Sequence, residues 1–208
     1  MSEAQPTVFI IDDDASVRRG TAELIRSVGL EVQAFETTQD FLNSERPDAP
    51  GCIVLDVRLR GRSGLDFQQT LKDLGIHFPI IFISGHSDIP ISVQAMKSGA
   101  IEFLTKPLRE QELLDAIYSG IERDRARRQE AVLVADLQAR FDTLTAREQE
   151  IMKLLVTGSV NKQIAAQTGV SDITVKVHRS HVMQKMRAKS LVDLVRMADR
   201  LGLSQTSA

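Results

Sequence analysis

Three aspartates stand in a row, Asp12-Asp13-Asp14, directly after the apolar run Val8-Phe9-Ile10-Ile11. Like charges repel, and a carboxylate at the edge of an apolar core is costly unless something pairs with it. A fourth aspartate, Asp56, follows a second run, Cys52-Ile53-Val54-Leu55. Ser84 ends a third run, and Lys106-Pro107 follows a fourth. If these runs are parallel strands, their carboxyl ends share one rim, which is where open sheets bind ligands. Carboxylates gathered there are tolerable around a hard cation. Mg2+ suits them, taking one to a few carboxylates and filling the rest with water and phosphate. Lys106 can hold an oxyanion beside Asp56, and Ser84 can donate to the same anion. The chemistry this set permits is phosphoryl transfer onto a carboxylate. Asp56 stands alone at its strand end and is the expected nucleophile. Asp12 and Asp13 are the expected metal half, and Asp14 reads as the cap of a following helix.

The elements that must place these residues follow from periodicity. Apolar runs at 7–11, 31–35, 52–55, 79–84 and 101–104 read as strands, three of them apolar enough to be buried on both faces. Between them lie helical stripes such as Val17, Leu24, Ile25 and Val28, and Leu113, Leu114, Ile117 and Ile121. Gly29, Gly75 and Gly99 stand where helices should stop. Five strands alternating with five helices imply an α/β fold, a doubly wound five-stranded parallel sheet. That domain is expected over residues 1–122. Residues 123–141 are expected as a helical linker, although Gly120 weakens a helix there. The remaining residues, 142–208, show no strand alternation and read as an all-α domain of four helices at 146–157, 162–168, 172–186 and 191–201.

Charge divides the chain in the same place. Up to Glu122 there are 11 Lys and Arg against 19 Asp and Glu; from Arg123 onward there are 15 against 9. A basic module beside an acidic one points to a polyanionic partner for the second. No apolar run approaches the ~18 residues of a membrane span. The N-terminus lacks the pattern of a signal peptide. Cys52, the only cysteine, is expected to pack as a small apolar residue. A cytoplasmic protein fits these features. His77 and His86 read as loop residues.

The second domain carries a helix-turn-helix pattern. Thr145 and Glu148 have capping-box spacing. A short helix leads to Gly169, and Ser171 caps a longer basic helix. On that helix Val175, His178, Val182 and Met186 form one stripe, expected to pack inward. Lys176, Arg179, Ser180, Met183 and Arg187 form the other face, which could enter a major groove of double-stranded DNA. Thr174, Val177, Asn161, Lys162 and Lys185 complete the expected set of DNA contacts.

The segment "IIDDDASVRRG…IVLDVRLRGRSGLD…IIFISGHSDIPISVQAMKSGAIEFLTKP" resembles the receiver domain of two-component response regulators, over about residues 7–122. "LTAREQEIMKLL", "NKQIA" and "TVKVHRS" resemble the LuxR-type domain of the FixJ/NarL family, over about residues 142–203. The resemblance implies a flavodoxin-like receiver with strand order 2-1-3-4-5 and phosphorylation of Asp56 by a sensor histidine kinase. It implies Mg2+, or Mn2+ in its place, on Asp13, Asp56 and the Arg58 backbone carbonyl, with Asp12 acting through water. Ser84 and Phe103 would move together on phosphorylation. Lys176, Val177 and Ser180 match base-reading positions, although some relatives carry lysine where this chain has Ser180, and Arg179 could substitute. A homodimer formed on phosphorylation would bind promoter DNA and engage RNA polymerase to activate transcription. Two departures stand out. Arg60 replaces a common proline and Gly61 a polar residue, which predicts a looser loop after Asp56. Two other classes compete with this reading. One is a ligand-controlled DNA-binding protein with a degenerate receiver. The other is a haloacid-dehalogenase-like phosphatase, whose D-x-D-x-[T/S] motif fits Asp12–Ser16 but which needs a longer core.

Overall fold

The structure, a computed structural model, describes residues 5–60, 62–85 and 89–203, apart from the side chain of Arg62. It divides into two compact units, Met1–Arg128 and Gln129–Ala208. Gly61 and His86 lie outside the described residues.

In the first unit, strands β1 (Thr7–Ile11), β2 (Glu31–Phe35), β3 (Gly51–Asp56), β4 (Ile80–Ser84) and β5 (Glu102–Thr105) form one parallel sheet. Their order is β2-β1-β3-β4-β5, the doubly wound order expected. Every residue of β1, β3 and β4 is buried, which is why these strands read as unbroken apolar runs. Side chains alternate between the faces. Val8, Ile10 and Val54 pack with Ile25 of helix α1 (Ala15–Ser27) and Leu113, Ile117 and Ile121 of helix α5 (Glu110–Asp142). Phe9, Ile11, Ile53, Leu55 and Phe82 pack on the other face. There they meet helices α2 (Thr38–Asn43), α3 (Gly64–Asp73) and α4 (Ile89–Lys97) through Phe41, Phe67, Leu71 and Ala95. Gly29, Gly75 and Gly99 follow α1, α3 and α4 with positive φ, as expected for helix stops.

Helix α5 is unbroken over 33 residues, so 123–141 are helical throughout. Gly120 inside it has a packing reason. A Cβ there would fall 2.9 Å from Cys52 Cβ and 3.0 Å from Ile101 Cδ1, so the close approach of helix to sheet outweighs the propensity cost. Cys52 is fully buried, and burial pushes its thiol pKa up, as suits an inert apolar side chain. The first unit reaches Arg128 because Asp124 is tied into it. This fully buried carboxylate accepts the Gly51 amide (3.1 Å) and is clamped by Arg127 (2.7 Å) and Arg128 (2.8 Å), and Arg128 also pairs with Asp48. Nothing in the apolar periodicity marked Asp124, because its partners lie on a distant strand start.

The second unit contains the end of α5 and helices α6 (Ala146–Val156), α7 (Asn161–Thr168), α8 (Asp172–Met186) and α9 (Leu191–Arg200). Ile151, Met152, Leu155, Ile164, Val175, Val182, Met186, Leu194 and Ala198 make its core, joined by Leu137 and Phe141 of α5. The capping box at Thr145 and Glu148 is formed.

Candidate phosphoryl-acceptor site and nucleic-acid interface

Strands β1, β3 and β5 aim their carboxyl ends at one place. Asp12, just past β1, is completely buried, and Asp56 ends β3 and is 6% exposed. Lys106 arrives just after β5. Its Nζ donates to Asp12 Oδ2 at 2.8 Å and to Asp56 Oδ2 at 2.5 Å. The remaining oxygens are held by backbone: Asp12 Oδ1 accepts the Asp14 amide and Asp56 Oδ1 the Arg58 amide, both at 2.8 Å. Asp13 pairs with Arg60 Nε at 3.2 Å, a largely exposed contact. One oxygen each of Asp12, Asp13 and Asp56 lie within 4.8 Å of one another.

The charge here is unbalanced. Three carboxylates share one enclosed ammonium and one solvated guanidinium. Burial raises the Asp12 pKa, and its bonds to Lys106 and to the Asp14 amide offset that only in part. Burial also works against the charged form of Lys106, but its bonds to Asp12 and Asp56 outweigh that and raise its pKa. The lysine therefore stays an ammonium while the rim keeps a net negative charge. An all-oxygen, under-neutralised pocket with open faces at Asp13 is an acidic pocket of the kind that holds Mg2+.

Asp14 takes no part in that cluster. Its Oδ1 accepts the amides of Val17 and Ser16, which pull its pKa down, and it caps α1 as expected. Ser84 ends β4 and is 3% exposed, and its carbonyl accepts the Lys106 amide at 2.7 Å. Phe103 lies half-buried opposite Phe82, with ring centroids 6.5 Å apart. Gly61, on which the expectation of a looser loop partly rests, lies outside the described residues, but the residues on either side of it pair. Arg58–Leu59 pair antiparallel with Arg62–Ser63, turning Arg60 onto Asp13. Gly64 then packs on Asp56 itself. A Cβ at Gly64 would stand 2.5 Å from the Asp56 carbonyl oxygen, so only glycine lets the chain pass. Arg60 and Gly64 are the two site residues that sequence reasoning did not pick out as contributors. The signal for both was proximity to Asp56 in sequence.

In the second unit α7 and α8 form the helix-turn-helix, with Gly169 (φ +69) at the turn and Ser171 accepting the Thr174 amide at 3.1 Å. Val175, Val182 and Met186 are buried, and His178 is half-buried on the same side. Lys176, Val177, Ser180 and Lys162 are exposed. Arg179 reaches Asn161 Oδ1 at 3.4 Å, and Lys176 pairs with Asp172 at 2.8 Å. The Thr174 hydroxyl lies 2.8 Å from Ser171 Oγ, and Arg187 ends α8 in the left-handed region at φ 56, exposed. Two residues sit differently from what was expected of them, Met183 on the outward face and Lys185 among the DNA contacts. Met183 packs partly against the core, because the stripe buried by α6 and α9 is wider than four residues. Lys185 turns to the buried Glu148 (2.6 Å) and the Thr143 carbonyl (3.2 Å), because an unpaired carboxylate there is costly.

A doubly wound sheet with a carboxylate rim, followed by a helix-turn-helix, defines a signal-responsive transcription regulator. Residues 8–118 match the response regulator receiver domain, and residues 142–198 match the bacterial regulatory proteins of the luxR family. The chain belongs to the response regulators that join these two modules. It is similar to nodulation protein W of Bradyrhizobium diazoefficiens, with 57% identity over 95% of this chain and 87% of that one. It is 45% identical to the response regulator protein TodT of Pseudomonas putida, over 97% of this chain and 88% of that one. The solved structure of the response regulator StyR matches with a TM-score of 0.78 and 47% identity, covering 95% of this chain and all of that one. The receiver implies a sensor kinase partner and the LuxR-type domain implies DNA binding. Among the described residues no helix is long and apolar enough to cross a membrane.

Proposed function

We propose that Asp56 accepts a phosphoryl group from a sensor histidine kinase and that this modification controls promoter binding by α8. The observation that carries the reading is the double contact of Lys106 with Asp12 and Asp56 at the carboxyl ends of β5, β1 and β3 in one parallel sheet. In the transfer an Asp56 carboxylate oxygen bonds to phosphorus while the bond from phosphorus to the donor nitrogen breaks. Asp13, Asp56 and the Arg58 carbonyl would hold Mg2+ or Mn2+, with Asp12 acting through water. The ion supplies positive charge for the phosphoryl oxygens.

The chain's own groups do the rest. Lys106 exchanges one of its carboxylate contacts for a phosphoryl oxygen, and Ser84 turns its hydroxyl to another. Phe103, beside Phe82 on the adjacent strand, then has room to follow, which alters the surface around α4 and β5. A homodimer formed in this state presents two α8 helices to a two-fold promoter site and engages RNA polymerase. Lys176, Val177, Ser180 and Arg179 stand for base contacts; Thr174, Asn161, Lys162 and Arg187 stand for the backbone. Lys185 is left out because Glu148 holds it.

The test is phosphate incorporation from a small phosphodonor. Wild-type protein takes up one phosphate with Mg2+ and Asp56→Asn takes up none; equal uptake by Asp56→Asn contradicts the assignment. For the second module, Lys176→Ala weakens binding to the cognate promoter by about 1–3 kcal/mol. Unchanged affinity in a mobility-shift titration removes Lys176 from the contact set.

A further inference from the structure

The DNA-binding unit holds a second group of metal-ligating side chains. Glu148 lies in the first turn of α6, and His178 and His181 lie one turn apart on α8. One ligand atom from each falls within 4.8 Å of the other two. Residues three apart share a helix face, so both imidazoles address the same neighbour.

Glu148 divides its oxygens. Oε2 accepts the Thr145 amide at 2.9 Å and the Lys185 ammonium at 2.6 Å. Oε1 faces His181 Nδ1 at 3.4 Å. Two ligands on a tetrahedral zinc ion, each about 2.0–2.1 Å from the metal, stand roughly 3.4 Å apart. This edge therefore already has the length that coordination requires. The His178 ring meets the His181 ring edge to face, with centroids 6.4 Å apart. His178 Nδ1 is buried without a hydrogen-bond partner. An imidazole with an unpaired buried nitrogen lacks polar contacts that a cation would supply. His181, by contrast, is half exposed, so it can adjust to close on an ion and leave one side of the ion open to water.

We infer that Glu148, His178 and His181 form a binding site for a divalent transition-metal ion, with water as fourth ligand. Two imidazoles and one carboxylate favour zinc, cobalt or nickel over Mg2+, which prefers oxygen donors. The bound ion ties α6 to α8, the helix that carries Lys176, Val177 and Ser180. It thereby makes the rigidity of the recognition helix depend on metal. Lys185 keeps its place on Oε2, so the capping box survives with the metal absent.

The test uses the full-length protein with excess Mg2+ to occupy the receiver rim, and Co2+ as the probe. The expected result is one equivalent of Co2+ with the strong visible absorption of a four-coordinate ion, displaced by Zn2+. His181→Asn, which keeps its far-ultraviolet circular dichroism because His181 is exposed, lowers that affinity at least tenfold. Asp13→Asn leaves the signal unchanged. Absence of a four-coordinate spectrum, its persistence in His181→Asn, or its loss in Asp13→Asn overturns the proposal.

Discussion

Each unit of the chain sets a lysine against enclosed carboxylates, with opposite results. In the receiver, Lys106 is shared between Asp12 and Asp56, with Asp13 beside them. In the DNA-binding unit, Lys185 meets a single carboxylate, that of Glu148, and also donates to the Thr143 carbonyl, while two backbone-linked contacts at Thr145 assist Glu148. Burial pushes both Asp12 and Glu148 towards the neutral acid. At Asp12 burial wins and the pKa rises. At Glu148 the Lys185 bond and the Thr145 amide outweigh burial and bring the pKa down to about 2. The same two residue types thus build a charge deficit in one place and a balanced pair in the other. The deficit costs stability and leaves charge for an arriving cation to neutralise; at Glu148 the pair on Oε2 holds helices together, and Oε1 stays turned towards His181.

Mutations can break that comparison. The largest effect is expected at Lys185→Met, which leaves Glu148 buried without its ammonium and should cost about 3 kcal/mol in urea unfolding of the DNA-binding unit. A loss below ~1 kcal/mol would mean that the pair is solvated and the contrast is wrong. Lys106→Met in the receiver should act on binding, by adding one uncompensated negative charge to the rim. Mg2+ affinity should rise about tenfold, equivalent to ~1.4 kcal/mol, in a titration followed by calorimetry. A weaker affinity would show that Lys106 organises the site more than it competes there. The smallest effect belongs to Asp12→Asn. Removing one member of an over-charged cluster should change receiver stability by less than ~1 kcal/mol, or raise it. A loss as large as that of Lys185→Met would place Asp12 with the structural pairs.

The sequence carried the strand ends well, because a parallel sheet makes them collinear with apolar runs. The sequence alone places Asp12, Asp13, Asp56, Ser84 and Lys106 on one rim. Asp12, Asp13, Asp56 and Ser84 end or follow strands that are buried throughout, whereas Lys106 follows the partly exposed β5. The caps at Asp14, Thr145 and Ser171 were legible for the same local reason. What was not legible depends on partners far away in sequence. Asp124 looked like one more charge in a polar helix, but its amide partner is Gly51. Lys185 looked like part of a basic face, but Glu148, 37 residues earlier, claims it. Gly120 argued against a helix until Cys52 was seen beneath it. Arg60 reads as one more charge in a loop, but it meets Asp13 beside the short pairing of residues 58–59 with 62–63. Periodicity reports which side of an element is apolar. It does not report which charge meets which.

The central claim is that four nearby aspartates have three different jobs and that Asp56 alone takes the phosphoryl group. It can be read directly by treating the wild-type chain with a small phosphodonor, with and without Mg2+, then reducing the acyl phosphate with borohydride and mapping the modified residue by peptide mass spectrometry. The account predicts modification at Asp56 only, and only with the metal present. Modification at Asp12 or Asp13, or at Asp56 without any divalent cation, would contradict it.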